Sequence, residues 1–198
     1  MAKGNHTHCV CGRLLCSFFT IFLLLAGTTA LTVWLVYHPS HPRFKVVAAA
    51  VYTINTTSPQ TISTTMQFTL VLYNPSKRTT IFYDRLSASV SYRNQAVTLP
   101  MSLHELFQEP KSTVALSPMV GGECVPVSQE VLDGLVVDQQ YGVVGLRVEL
   151  MGRLRYKAGP FWSKHYRMYV KCDVLVGVKE GVDGQAPLLG SPDCVLDV

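Results

Sequence analysis

The sequence contains no GxSxG, HExxH, P-loop or GxGxxG pattern. It therefore lacks the nucleophile elbow, the zinc-protease helix, the phosphate-cradling loop and the dinucleotide fingerprint. His104, Glu105 and His165 fall in unrelated segments. Charge is also scarce: Asp, Glu, Lys and Arg make up 15% of the 198 residues, and the formal net charge is +4. Beyond Tyr37, 15 Lys and Arg face 13 Asp and Glu. A nucleic-acid binder carries a concentrated basic excess, which this near-balance does not supply. No internal repeat and no low-complexity stretch occurs. The expectation is a protein without catalysis, without a cofactor or metal site, and without a nucleic-acid partner.

Charge is missing altogether from Leu14 to Tyr37. At 1.5 Å per residue a helix of that length reaches about 36 Å, against about 30 Å for a bilayer core. Trp34 and Tyr37 close the run with interface-seeking rings, and Pro39 and Pro42 end the helix. Thr28 and Ala30 offer the small residues of a signal-peptide cleavage site, but the apolar run continues past them, which favours a retained signal-anchor. The expected organisation is a tail over 1–13, a transmembrane helix over 14–37 in the lipid bilayer, a stalk over 38–44 and one domain over 45–198. Lys3 and Arg13 before the run balance Arg43 and Lys45 after it, so charge leaves the orientation open. Gly27 is the only glycine in the run, so GxxxG helix pairing is not expected.

The remaining residues alternate with period two, the pattern of half-buried strands. Met66, Phe68, Leu70 and Leu72 share one parity; Leu86, Ala88, Val90 and Tyr92 share another. From 144 to 156 the even positions are apolar or Gly, and Met168, Val170, Cys172, Val174, Val176 and Val178 repeat the pattern. Further strands are expected over 45–54, 95–100 and 111–119. Val127, Val131, Leu132, Leu135 and Val136 recur instead at helical spacing, so one short helix is expected there. About seven strands with turns between them predict a mainly β protein with an antiparallel sandwich.

Asn74-Pro75-Ser76-Lys77-Arg78 followed by Phe82-Tyr83-Asp84 resembles the NPNK…YYD signature of the plant harpin-induced and non-race-specific-disease-resistance-like family, whose domain is of the late-embryogenesis-abundant group 2 type. Gly152-Arg153-Leu154-Arg155-Tyr156-Lys157 with Trp162, Val170-Lys171-Cys172-Asp173-Val174, and Pro187-Leu188-Leu189-Gly190-Ser191-Pro192-Asp193-Cys194 resemble three further stretches of that family in the same order. Lys111-Ser112-Thr113 is a looser match, and Leu106-Phe107-Gln108 departs partly from the usual aromatic run. The resemblance covers essentially the whole chain. It implies a fibronectin-III or immunoglobulin-like β-sandwich on a single-pass anchor, with the domain outside the plasma membrane, and a non-catalytic role in defence or stress responses as a scaffold, adhesion or signalling module. A lipid-binding or desiccation-protective module is the alternative. The ending Val195-Leu196-Asp197-Val198 has no hydrophobic tail, so the lipid anchor of some relatives is not expected.

On that topology Asn55-Thr56-Thr57 is a glycosylation sequon the cell can use, whereas Asn5-His6-Thr7 is not, and Asn74-Pro75 fails the rule. Cys9, Cys11 and Cys16 are candidates for palmitoylation or are plain thiols; with His6 and His8 they are too short a cluster to preorganise a metal site. Cys172 points inward, as a buried thiol or in a disulfide with Cys194 that an oxidising compartment permits. Arg147, Arg153, Arg155, Lys157, Arg167, Lys171 and Lys179 share the outward parity of two strands, joined there by only Glu149 and Asp173. Such a face is either ordinary solvated surface or a site for an anionic partner: acidic polysaccharide, lipid head groups or a defence-related membrane protein. The Asn74–Asp84 loop reads as turn chemistry or as a recognition loop.

Overall fold

The structure, a computed structural model, describes residues 5–37, 40–58, 60–178, 184–190 and 193–198, with side chains for all but 5–15, 33–37 and 56–58. It divides into two units, Met1–His38 and Pro39–Val198.

The first unit is one helix, α1 (Asn5–Tyr37). Its described side chains, Cys16 to Thr32, are all exposed, and they include Phe18, Phe19, Phe22 and Leu24. The hydroxyls of Thr20, Thr28, Thr29 and Thr32 donate to backbone carbonyls three or four residues earlier, so the helix satisfies its own polar groups. This corrects the expectation of a transmembrane helix over 14–37, and with it the signal-anchor and single-pass readings. Among the described residues, no helix is long and apolar enough to cross a membrane. The helix also begins at Asn5, inside the expected tail.

The second unit is the expected β-sandwich. Its strands are β1 (Arg43–Ser58), β2 (Thr61–Tyr73), β3 (Thr79–Tyr92), β4 (Gln95–Ala96), β5 (Met101–Ser102), β6 (Leu106–Gln108), β7 (Thr113–Leu116), β8 (Met119–Pro126), β9 (Val143–Ala158), β10 (Phe161–Trp162), β11 (Tyr166–Gly177), β12 (Gly184–Ala186), β13 (Leu188–Gly190) and β14 (Val195–Asp197). One sheet runs β12-β1-β2-β7, with β8 also on β2; the other runs β13-β11-β9-β3-β4, with β10 on β9, β14 on β11, and β5 and β6 on β3. The pairings are antiparallel. Period-two patterning does what it should. Even residues of β2 from Ile62 to Leu72 are buried, and so are Val144 to Leu150 on β9 and Met168 to Val176 on β11, in the same parity. Together they form one core around Phe68, Leu70, Val148, Leu150 and Val170.

A second helix, α2 (Gln129–Gln140), buries Val131, Leu132, Gly134 and Leu135. It starts two residues later than the pattern suggests: Val127 is buried just ahead of it, and Val136 is exposed. The expected strand over 95–100 shrinks to Gln95–Ala96, and that over 111–119 splits between β7 and the start of β8.

Candidate anion-binding surface

Strands β3, β9 and β11 lie side by side, and their register sorts the basic residues. Arg147 sits opposite Asp173, Glu149 opposite Lys171, Met151 opposite Tyr169, and Arg153 opposite Arg167. On the other side of β9, Arg155 faces Phe82, Lys157 faces Thr80, and Arg153 faces Asp84.

The strip therefore divides into three. At one end charge is already answered. The Arg147 Nε donates to Asp173 Oδ1 at 2.6 Å and its Nη1 donates to Asn94 Oδ1 at 2.7 Å. The Asp173 bond raises the Arg147 pKa above its ordinary value. Lys171 Nζ lies 3.6 Å from Asp197 and 4.6 Å from the Tyr169 ring centroid. A groove of about 550 Å³ opens beside Arg93 and Arg147, but Arg93 too has a carboxylate, Asp138, at 4.0 Å.

In the middle, like charges meet across β9 and β11, although Asp84 lies opposite Arg153 on β3. Arg153 and Arg167 are direct cross-strand neighbours, and like charges in that position cost about 0.2–1 kcal/mol. Arg85 joins them. It is exposed, with φ +51°, at the register shift between Asp84 and Ser87, a β-bulge that re-aims a side chain. Opposite the bulge Gly152 leaves room for the close approach: a Cβ there would lie 2.8 Å from the Leu86 side chain and 3.2 Å from the Asp84 carbonyl, so a neighbour would have to shift. Among the described residues, none of Arg85, Arg153 and Arg167 makes an ion pair. They line a groove of about 520 Å³ with Met151, Tyr169 and Asp197. Three guanidiniums over an open groove can grip carboxylate or phosphate through paired N–H donors.

At the far end the cations lie on rings. The Arg155 guanidinium is 4.7 Å from the Phe82 centroid and 4.2 Å from that of Trp162. Lys157 Nζ is 5.1 Å from Trp162. Phe107 completes the cluster, edge-on to both rings.

The other expected residues are dispersed. Cys172 is buried on β11 and joined to Cys194, with S–S 2.07 Å and Cα–Cα 4.4 Å. Asn55 is exposed on β1. Cys16 is an exposed free thiol; the side chains of Cys9 and Cys11 lie outside the described residues, as does Lys179.

The expected Asn74–Asp84 loop is shorter, since β3 begins at Thr79, and residues 74–78 are held from inside. Asn74 is fully buried: its Nδ2 donates to the carbonyls of Thr79 and Glu109 at 2.9 and 3.0 Å, and its Oδ1 accepts from the Ser76 N–H at 3.0 Å. Gln108, equally buried, accepts from the Tyr83 hydroxyl at 2.9 Å and donates to the Leu72 carbonyl. Sequence reasoning missed Arg85 as a site residue, because the bulge takes it out of the strand's alternation.

A family model described as "Late embryogenesis abundant protein" matches residues 69–172, just over half of the chain. Three proteins of Arabidopsis thaliana align over most of it. NDR1/HIN1-like protein 1 is 33% identical over 84% of this chain and 79% of its own. NDR1/HIN1-like protein 12 is 30% identical over 86% and 81%. NDR1/HIN1-like protein 26 is 30% identical over 88% and 83%. The chain belongs to the late-embryogenesis-abundant LEA_2 family, among its NDR1/HIN1-like members.

Proposed function

We propose that this protein is a non-catalytic interaction module of plant stress and defence responses, working at a membrane and gripping an acidic partner through Arg85, Arg153 and Arg167. The single observation behind the reading is the Arg153–Arg167 opposition. Two like charges held directly across a ladder lower the stability of the free domain. A bound carboxylate polymer offsets that repulsion and gains bidentate hydrogen bonds. Neighbouring cations on the same face already have carboxylates, which sets the groove apart from a generally basic surface. Membership of the family supports the stress and defence role.

The domain works outside the cytosol, at the plasma membrane. The Cys172–Cys194 bridge supports this, since disulfides persist in oxidising compartments. The exposed Asn55 sequon supports it as well. The partner we assign to the groove is an acidic, carboxylate-bearing wall polysaccharide.

The test is retention of the full chain on immobilised polygalacturonate. Arg153→Glu with Arg167→Glu is expected to abolish it, and Arg147→Glu, whose cation is already paired, to leave most of it. Equal loss in both variants, or none in either, contradicts the groove. A glycosidase-sensitive mobility shift that disappears in Asn55→Gln supports the extracytoplasmic location; a chain fully open to labelling from the cytosol overturns it.

A further inference from the structure

The end of the sandwich at which the chain enters the domain is both basic and aromatic. Arg43 opens β1 opposite Tyr73, which in turn pairs with Thr113 at the start of β7. Residues 74–78 then lead into β3, whose first residue, Thr79, pairs with Ala158 at the end of β9. Phe161 also pairs with Ala158, and Trp162 with Lys157. The Lys111 N–H donates to the Ser76 carbonyl at 3.0 Å. Register alone thus gathers segments 43–45, 73–79, 107–113 and 155–164 at one end. They carry eight Lys and Arg against Glu109, and Asp193 forms a β-bridge with Lys45 beside them.

Among those cations sit exposed rings, Trp162 with Arg155 and Lys157 on its face. Phe161 is 77% exposed, Phe107 50% and Trp162 42%. Phe161 follows a tight turn that Gly159 enters with φ +59°, a conformation open to glycine at no cost. The hairpin therefore presents Phe161 right after its turn, with Trp162 next to it in the ladder opposite Lys157. Small ligands and rigid partners are held in concave sites. Exposed Phe and Trp among Lys and Arg match instead the lipid–water interface, where Trp rings sit at head-group level and basic residues meet anionic lipid.

We infer that this end of the domain docks onto an anionic bilayer surface. Phe161 and Trp162 enter the head-group layer, while Lys77, Arg78 and Lys157 face lipid phosphates. The surface is separate from the Arg153–Arg167 groove, so each can fail alone.

The experiment uses the full chain with Trp34→Phe, which leaves Trp162 as its only tryptophan. Its emission is followed on vesicles of phosphatidylcholine, alone or mixed with phosphatidylglycerol, with spin-labelled lipid as membrane quencher and iodide as aqueous quencher. On anionic vesicles Trp162 is expected to shift to the blue, to be quenched by the labelled lipid and to be shielded from iodide. Lys77→Ser with Arg78→Ser should weaken this partitioning roughly 25-fold, at about fivefold per charge. Phe161→Ser, an exposed change that leaves the core untouched, should remove most of the blue shift.

Vesicle flotation reads every lipid-binding part of the chain, whereas Trp162 reads this end alone. A chain that floats while Trp162 stays open to iodide overturns the docking surface and leaves the groove reading intact. Equal protection of Trp162 by polygalacturonate without lipid overturns it too, by giving this end to an acidic polymer.

Discussion

The Arg155 guanidinium carbon lies 4.2 Å from the centroid of the Trp162 ring, and the same group covers Phe82 on the neighbouring strand. One side chain thus ties the β9–β10 hairpin to β3. Stacking of this kind contributes about 0.5–2 kcal/mol, and the Arg stem covers apolar surface as well. Arg155→Ala is expected to lower unfolding stability by about 1–2 kcal/mol in urea titration. Arg155→Lys should restore only part of it, because a compact ammonium does not stack as a planar group does.

The Cys172–Cys194 bridge closes a 22-residue separation and holds the chain end beside β11, where Val170 pairs with Leu196. Closing such a loop restricts the unfolded chain and contributes about 3 kcal/mol. Cys172→Ala with Cys194→Ala should cost about 2–4 kcal/mol in thermal unfolding, and reductant should do the same to the parent chain. Free thiols at both positions in a non-reducing peptide map, with no response to reductant, would contradict the bridge.

Asn74 acts as a knot more than as a contact. Its side chain satisfies two carbonyls and one N–H in a fully buried position. Leaving buried polar groups unpaired costs about 1–3 kcal/mol each. Asn74→Ala is expected to lose roughly 3 kcal/mol or more, measured by chemical unfolding. Lys77→Ala, exposed in the same loop, should change stability by less than about 0.5 kcal/mol.

Alkaline unfolding should follow the buried tyrosines. Burial, and then the 2.6 Å bond to Asp138, push the Tyr92 pKa up to about 12; burial and then the neighbouring Tyr166 push Tyr156 up to about 12. Both lie above the ordinary value of 10.0. Between those limits the unfolded chain releases protons that the folded chain keeps, so stability falls as pH rises. The contribution is complete below pH 10 and lost through pH 12. Tyr92→Phe should flatten this slope, while losing about 1 kcal/mol near neutrality with its bond to Asp138.

The long strands were legible because alternation over six or more residues fixes which side faces the core. Met66 to Leu72, Val144 to Leu150 and Met168 to Val176 all lie where parity puts them. Strands such as β5 and β12 were not, since two or three residues hold no period. The basic parity on β9 and β11 was legible, but its meaning was not. Only the register shows that Arg147 meets Asp173 while Arg153 meets Arg167. Arg85 was hidden by the bulge. The apolar run did mark a helix. Its reading as a membrane span does not stand among the described residues.

Thermal unfolding of the full chain and of Arg167→Gln, each with and without oligogalacturonate, tests the Arg153–Arg167 groove most directly. Relief of the repulsion should make Arg167→Gln melt above the parent when both are free. Ligand binding to the folded state should raise the melting temperature of the parent and not that of the variant. A variant that melts no higher than the parent and still gains the same increase with oligogalacturonate would contradict the account.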